Sequence, residues 1–416
     1  MEAEWASAPT GTAFVAIVSV MTDATIRRFR IDVPQTDLDD LRDRLARTRW
    51  PDELPEAGWD YGVPLAYARE IAGYWADGYD WRTHEADLNT LPQFMTTIDG
   101  ADVHFLHARS PREDAIPLLL THGWPGSILE FVALIGPLTD PAAHGAPAAP
   151  AFHVVVPSIP GFGFSGPTRD RGWGVPRIAG AFIELMSRLG YGRYGAHGGD
   201  WGAIITREIG VTAPSALLGV HLTMLPSAVA HPGLDLDAVV GLTDEDRAAI
   251  QASAERNARM RRDEMGYGIL QSTRPQTLAY SLTDSPVGQL AWIAEKFQAW
   301  TDHDGSPEHA VTRDVLLTNV SIYWFTRTAG SAARLYYEYA QAALGASGSG
   351  AVPTPSTVPT AVAVFPHDTS LPVRRLAERF DPIARWTEMD RGGHFPGLEQ
   401  PQLLTIDLRA FFGHPR

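Results

Sequence analysis

The segment His197-Gly198-Gly199-Asp200-Trp201-Gly202 reads G-x-D-x-G and sets an aspartate at the apex of a glycine-flanked turn, where a serine is common. Small residues at Gly198 and Gly202 let a strand and the following helix approach closely, so the apical side chain is thrust outward at a strained corner. A carboxylate, with an ordinary pKa of about 4, is ionised at neutral pH without help from a base. Placed there, Asp200 can attack an sp3 carbon, displace a leaving group and form an alkyl ester that water must then hydrolyse. The pattern alone is short and also fits an Asx turn, so its context has to decide.

Ester hydrolysis needs a base. His394, in Asp390-Arg391-Gly392-Gly393-His394-Phe395, follows the last expected strand on a glycine-rich loop. Its ordinary pKa of about 6.5 suits it to take a proton from water. Asp368, in Val364-Phe365-Pro366-His367-Asp368, is the candidate carboxylate to orient the imidazole, with Asp381 and Asp390 as weaker rivals. The tetrahedral intermediate needs N–H donors, and His122-Gly123-Trp124-Pro125-Gly126-Ser127 follows a strand ending at Thr121. Backbone N–H groups of Trp124 and Trp201 would make an oxyanion hole. Pro125 has no N–H to give, and the Trp124–Pro125 bond is a candidate for the cis form.

The leaving group distinguishes two reactions. An epoxide oxygen departs as a basic alkoxide and needs an acid such as tyrosine, whereas a halide needs only weak donors such as indoles. Tyr267 and Tyr336 offer the first type and Trp201 the second, and on these residues alone both reactions stay open.

These side chains must be positioned by strands and helices in the right order. Ala151 to Pro157 is a short β-branched run that reads as a buried strand, Val175 to Leu189 as an amphipathic helix, and Arg193 to His197 as the strand feeding the turn. Ala203 to Ile209 continues as a helix. Further strands are expected at Pro117 to Thr121, Leu218 to Thr223, Thr360 to Phe365 and Arg385 to Met389. Helices are expected at Asp244 to Met260, Pro286 to Trp300 and Asp314 to Ala343. Nearer the start, Ile26 to Val33 alternates as a strand, Thr36 is the expected N-cap of a helix, and Met95 to Ala108 is a hairpin turning at Asp99-Gly100. The fold class is therefore α/β: a doubly wound, mostly parallel sheet with ligand chemistry at the carboxyl ends of its strands. We expect an overextended start over 1–25, an N-terminal extension over 26–94, the first part of the core over 95–225 and a helical cap over 226–345. A linker over 346–359 and the second part of the core over 360–416 follow.

With 416 residues, 44 % of them hydrophobic, the chain can bury a large core. Its formal charge of −15 argues against nucleic acid and anionic membrane surfaces as partners. The absence of cysteine excludes disulfides, thiol catalysis and thiolate metal sites, and nothing points to a cofactor or metal. The single lysine, Lys296, reads as compositional bias in an arginine-rich chain. Thr12 to Met21 is apolar but shorter than the roughly 20 residues that span a bilayer, and Met21 is an alternative start. The expectation is a cytoplasmic protein without a membrane partner, and an assembly of several copies is left open.

Taken together, HGWPGS, GGDWG, RGGHF, the stretch Gln271-Ser272-Thr273-Arg274-Pro275 with Asp284-Ser285-Pro286-Val287-Gly288, and the extension from Arg49-Trp50-Pro51 to Trp81 resemble the microsomal-type epoxide hydrolases of the α/β-hydrolase fold. The resemblance runs from about Ile26 to the C-terminus. It implies Asp200 as nucleophile, His394 as base, Asp368 as its charge partner, and Tyr267 and Tyr336 as the two residues that polarise the epoxide. It implies a vicinal diol as product. The cap aromatics suit an apolar or aromatic epoxide, and detoxification and natural-product tailoring both fit. Two departures stand out: the family's membrane anchor is not seen, and an aspartate replaces the glutamate some members use as charge partner. Tyr337 and Tyr339 are neighbours that could take the place of Tyr336. Haloalkane dehalogenase is the alternative activity, and an idle binding protein on this fold ranks below both.

Overall fold

The computed structural model describes residues 25–230, 239, 241–345 and 353–413. The apolar stretch from Thr12 to Met21 and the first half of the Gly/Ser/Pro linker, 346–352, lie outside them. Among the described residues the centre is a nine-stranded sheet in the order β1-β2-β3-β5-β4-β6-β7-β8-β9. The strands are β1 (Arg27–Arg28), β2 (Gln93–Ile98), β3 (Ala101–Ala108), β4 (Ile116–Thr121), β5 (Phe152–Pro157), β6 (Tyr194–Gly198), β7 (Leu217–Leu222), β8 (Thr360–Val364) and β9 (Ile383–Glu388). From β5 across to β9 the pairings are parallel, and β1, β2 and β3 extend the edge antiparallel. The chain leaves β4 for β5 on one side and returns to β6 on the other. That reversal opens a crevice at the carboxyl ends of β4 and β6.

Alternation along the central strands divides the interior into two cores. Leu118, Leu120, Val154 and Val156 point toward helices Leu129–Thr139 and Pro401–Phe412, while Leu119 and Val155 join the larger core on the opposite face. Both faces are thus apolar, which is why these strands read as continuous hydrophobic runs.

The expected strand from Ile26 to Val33 is reduced to Arg27–Arg28. The alternation is real, since Ile31 and Val33 are buried, but the ladder stops. Ile31 N–H donates to Asn89 Oδ1 and Val33 N–H to Glu85 Oε1, so side-chain oxygens replace a neighbouring strand. The next helix starts at Gln35 behind Pro34, with Thr36 inside its first turn rather than capping it. The hairpin turns as expected, with Asp99 at φ 49° and Gly100 at φ 79°.

Between β7 and β8 lies a helical layer more finely divided than the three expected helices. It comprises Asp244–Arg259, a π-helical turn Met260–Glu264, Gly266–Thr273, Pro275–Asp284, Pro286–Trp300, Arg313–Thr326 and Ala329–Gly345. The long helix expected from Asp314 to Ala343 breaks where Arg327 turns left-handed at φ 55°. Thr328 N–H returns to Tyr323 O, and its hydroxyl accepts Gly163 N–H at 3.1 Å, fastening the break to the sheet loops. The N-terminal helices pack on this layer: Trp75 Nε1 donates to Ser321 Oγ at 3.0 Å and Tyr79 Oη meets Thr318 Oγ1 at 3.0 Å.

Candidate active site

Helix Asp200–Thr212 starts directly after β6, and the turn between them holds Asp200 at φ 48°. A non-glycine residue rarely occupies that region and does so at a cost of about 1–3 kcal/mol, a strain concentrated at functional corners. The neighbouring glycines are required by space. A Cβ on Gly198 would lie 2.1 Å from Gly202 O, and one on Gly202 would lie 1.8 Å from Thr121 O, the last residue of β4.

The turn presents the two oxygens of Asp200 to different partners. Oδ1 accepts the Trp124 N–H at 2.8 Å, and Oδ2 lies 3.3 Å from His394 Nε2. The latter contact is within ion-pair reach but is not aligned as a hydrogen bond, for Nε2 has no hydrogen-bond partner among the described residues. Trp201 follows in the first helical turn, where amide N–H groups have no acceptor within the helix. The Trp124–Pro125 bond is cis. Helix Arg313–Thr326 holds this loop from above: Asn319 Nδ2 donates to Pro125 O at 2.6 Å and Tyr323 Oη to Gly126 O at 2.8 Å. His122 supports it from below. Its Nε2 accepts Ile159 N–H, which leaves Nδ1–H to donate to Gly123 O, and burial pushes its pKa down to about 4. It is a neutral strut.

His394 Nδ1 lies 2.6 Å from Asp368 Oδ1, and both side chains are 2 % exposed. Of the rival carboxylates, Asp381 pairs with Arg207 and Asp390 is exposed beside Arg391. Arg256 donates to the carbonyls of Asp368 and Pro366, fixing that turn after β8. Burial works against a charged imidazole at His394, but the adjacent Asp368 and Asp200 outweigh it and hold the pKa well above the usual histidine value.

Tyr267, on Gly266–Thr273, and Tyr336, on Ala329–Gly345, are both buried and face one another with ring centroids 5.8 Å apart. Tyr267 stacks on Trp124 at 4.8 Å, and Tyr336 meets Trp201 edge-on at 4.7 Å. Among the described residues the buried hydroxyl of Tyr336 has no aligned hydrogen-bond partner, although Tyr267 and Trp201 lie near enough to bear on its ionisation. Burial first and then nearby charge, Asp200 included, raise both phenols above their ordinary pKa, so both remain protonated donors. Tyr337 and Tyr339 are exposed, the latter touching Trp201 from outside. The structure therefore gathers Asp200, His394, Asp368, Trp124, Trp201, Tyr267 and Tyr336 at one place.

Three more residues border the site: Lys296 and Glu130, which the sequence did not point to, and Trp300, one of the cap aromatics expected to suit an apolar epoxide. Lys296, taken there as compositional, is 4 % exposed, with Nζ 4.8 Å from the Tyr267 ring centroid and in ion pairs with Glu295 (2.7 Å) and Glu264 (3.1 Å). A lone lysine in an arginine-rich chain was the available signal, since a compact ammonium and a planar guanidinium are not interchangeable. Trp300 packs on both Tyr267 and His394, at 5.2 and 5.0 Å. Glu130 lies behind the Gly123 amide at 3.4 Å, and burial pushes its pKa up to about 8, so it is uncharged at neutral pH. No residue of this constellation lines the surface cleft of 910 Å³ between Trp50, Tyr61 and Gly288. Among the described residues no His/Asp/Glu group has the arrangement of a metal site.

Residues 26–131 match the family described as "Epoxide hydrolase N terminus", and residues 116–399 match the alpha/beta hydrolase fold. A protein of Stigmatella aurantiaca with a candidate assignment as an epoxide hydrolase is 47 % identical over 391 residues, covering 93 % of this chain and 84 % of its own. Epoxide hydrolase 1 of Sus scrofa is 35 % identical over 408 residues, covering 94 % and 89 %. The solved structure of Aspergillus niger epoxide hydrolase superposes with a TM-score of 0.80 at 31 % identity, covering 94 % of this chain and 97 % of that one. The relatives named epoxide hydrolase 1 and juvenile hormone epoxide hydrolase are of the microsomal-type, membrane-associated kind, which overturns the expectation of a cytoplasmic protein. Among the described residues, no helix is long and apolar enough to cross a membrane.

Proposed function

Because this chain belongs to the epoxide hydrolases of the α/β-hydrolase fold, and so opens epoxides with water, we propose that it does so through a covalent ester on Asp200. The observation that carries the proposal is the unequal setting of the two Asp200 oxygens. Oδ2 faces His394 Nε2 at 3.3 Å without an aligned hydrogen bond and attacks an oxirane carbon, while the O–H groups of Tyr267 and Tyr336 donate to the departing oxygen. One phenol gives up its proton to the alkoxide as the C–O bond breaks, and the alkyl ester forms.

Ester formation removes the negative charge beside His394 Nε2. The imidazolium loses one of its two supporters while its burial persists, so it releases its proton, which restores the phenol that had become phenolate, and the neutral ring becomes the base for water. His394 takes a proton from water as its oxygen adds to Cγ of Asp200, and the developing oxyanion on Oδ1 stays on the Trp124 N–H, with the Trp201 N–H as second donor. The ester C–O bond then breaks as the imidazolium gives that proton to the departing oxygen of a vicinal diol, and the acid left at Asp200 ionises again beside His394. Asp368 keeps the imidazole in register throughout. The aromatic walls, Trp124, Trp201 and Trp300 beside the tyrosines, suit an apolar or aromatic epoxide. The helices over 244–345 act as a cap that limits the ester to ordered water.

The test is one turnover of styrene oxide with enzyme in excess in heavy-oxygen water. The label is expected in the Asp200 carboxylate and not in the first diol. Label in the first diol would mean direct attack by water and would end the proposal.

A further inference from the structure

The four successive amides around the histidine, Gly392 to Phe395, all have acceptors, and two carboxylates supply three of the four. Gly392 N–H donates to Asp302 Oδ2 at 2.7 Å, Gly393 N–H to Glu399 Oε2 at 2.9 Å, and Phe395 N–H to Glu399 Oε1 at 2.9 Å. His394 N–H itself donates to Trp300 O at 2.8 Å. Glu399 also reaches across to accept Asp302 N–H at 2.8 Å, so one carboxylate ties the residues on either side of His394 to the end of helix Pro286–Trp300. Space is tight at the joint, since a Cβ on Gly393 would lie 2.4 Å from Trp300 O.

A histidine loop needs nothing so demanding merely to close. Ordinary turns satisfy their amides with water or backbone carbonyls, whereas here burial pushes the Glu399 carboxyl up to about 7 against the pull of the three N–H groups that bond it. The same helix end carries Trp300, which packs on both His394 and Tyr267. We propose that Asp302 and Glu399 form a carboxylate clamp that positions His394 for ester hydrolysis, joining the loop of the base to the helical layer that holds Tyr267. Neither residue touches the reacting atoms; both are positioning residues. The inference rests on the covalent mechanism above.

The clamp serves only the second chemical step, and that gives it a kinetic signature. Misplacing the base by about 1 Å slows water attack on the order of 10- to 100-fold. Epoxide opening by Asp200 does not use His394 as a base and keeps its rate. In Glu399→Gln one oxygen becomes an NH2 group facing an N–H donor, so at least one of the three bonds is lost. With full-length enzyme and styrene oxide, kcat and KM are expected to fall together, leaving kcat/KM within about threefold of the parent, and the trapped ester is expected to outlive that of the parent by the same 10- to 100-fold factor. Asp302→Ala reads the clamp from its more exposed side and is expected to show the same paired fall. A general loss of folding would instead lower kcat/KM and the population of ester together. Ester that decays at the parent rate in a folded variant overturns the clamp. His394→Gln separates the two ideas: if it accumulates no ester, detected as added mass on the Asp200 peptide, the covalent reading fails first.

Discussion

Replacing Tyr336 by phenylalanine should make the protein a poorer catalyst without making it a weaker fold. Its hydroxyl is buried and has no aligned partner among the described residues, so its desolvation is uncompensated until an acceptor arrives. Leaving such a donor unsatisfied costs about 1–3 kcal/mol, which the phenylalanine variant recovers. With an unfolding entropy of roughly 2.1 cal/mol/K per residue, a chain of this length gains only about 1–3 °C in melting temperature. The same hydroxyl is one of two donors to the departing oxygen, and loss of one such donor slows the step about 10²- to 10³-fold. Rapid-quench measurement of ester formation gives the rate, and calorimetry gives the melting temperature. Tyr323→Phe is the contrast: its hydroxyl donates to Gly126 O at 2.8 Å, so its removal orphans a buried carbonyl and should lower the melting temperature. A Tyr336→Phe enzyme that melts several degrees below the parent, or forms ester within threefold of its rate, refutes the reasoning.

Gly123→Ala would place a methyl 2.3 Å from Cβ and Oδ1 of Asp200; the nucleophile must move, and ester formation should drop on the order of 100-fold while circular dichroism stays that of the parent. Lys296→Met removes the cation over Tyr267 and leaves Glu264 and Glu295 beside a phenol whose proton they already hold more tightly. A desolvated cation–π contact of about 2 kcal/mol corresponds to roughly 30-fold in ester formation, with ester decay unchanged; equal effects on both steps would argue for general damage. The pH dependence should differ between the steps. His394 is held above its ordinary pKa by Asp368 and Asp200 against burial, and alkylation cancels the Asp200 charge. Ester decay, which needs the neutral imidazole, should therefore fall as pH falls, with its midpoint below the pKa that NMR finds for His394 in the resting enzyme. Coincident midpoints would contradict the charge argument.

The placement of the candidate groups was legible where a backbone constraint and a reactive side chain share a short segment. Asp200 is readable because the glycines that let β6 meet the next helix flank it, and His394 because a glycine loop after the last strand places it. Asp368, Trp124, Tyr267 and Tyr336 were named in sequence and lie with them. The helical layer was not legible in detail, since the break at Arg327 depends on Thr328 bonding Gly163, far away in sequence. The shortened β1 has the same origin, its alternation being satisfied by Asn89 and Glu85 rather than by a strand. Lys296 carries no local pattern; its meaning comes only from the ring it lies over.

That lysine also provides an intrinsic reporter. As the chain contains just one, feeding lysine isotopically labelled at its ε-position yields a single resonance, already seated above Tyr267. Ring currents from Tyr267 and Trp300 make its frequency sensitive to small displacements, so titration with an unreactive epoxide mimic would follow closure of the tyrosine pair without any introduced probe. The reverse face of the same fact is practical: with its ε-amine buried, coupling chemistry directed at lysine would leave the outer surface untouched.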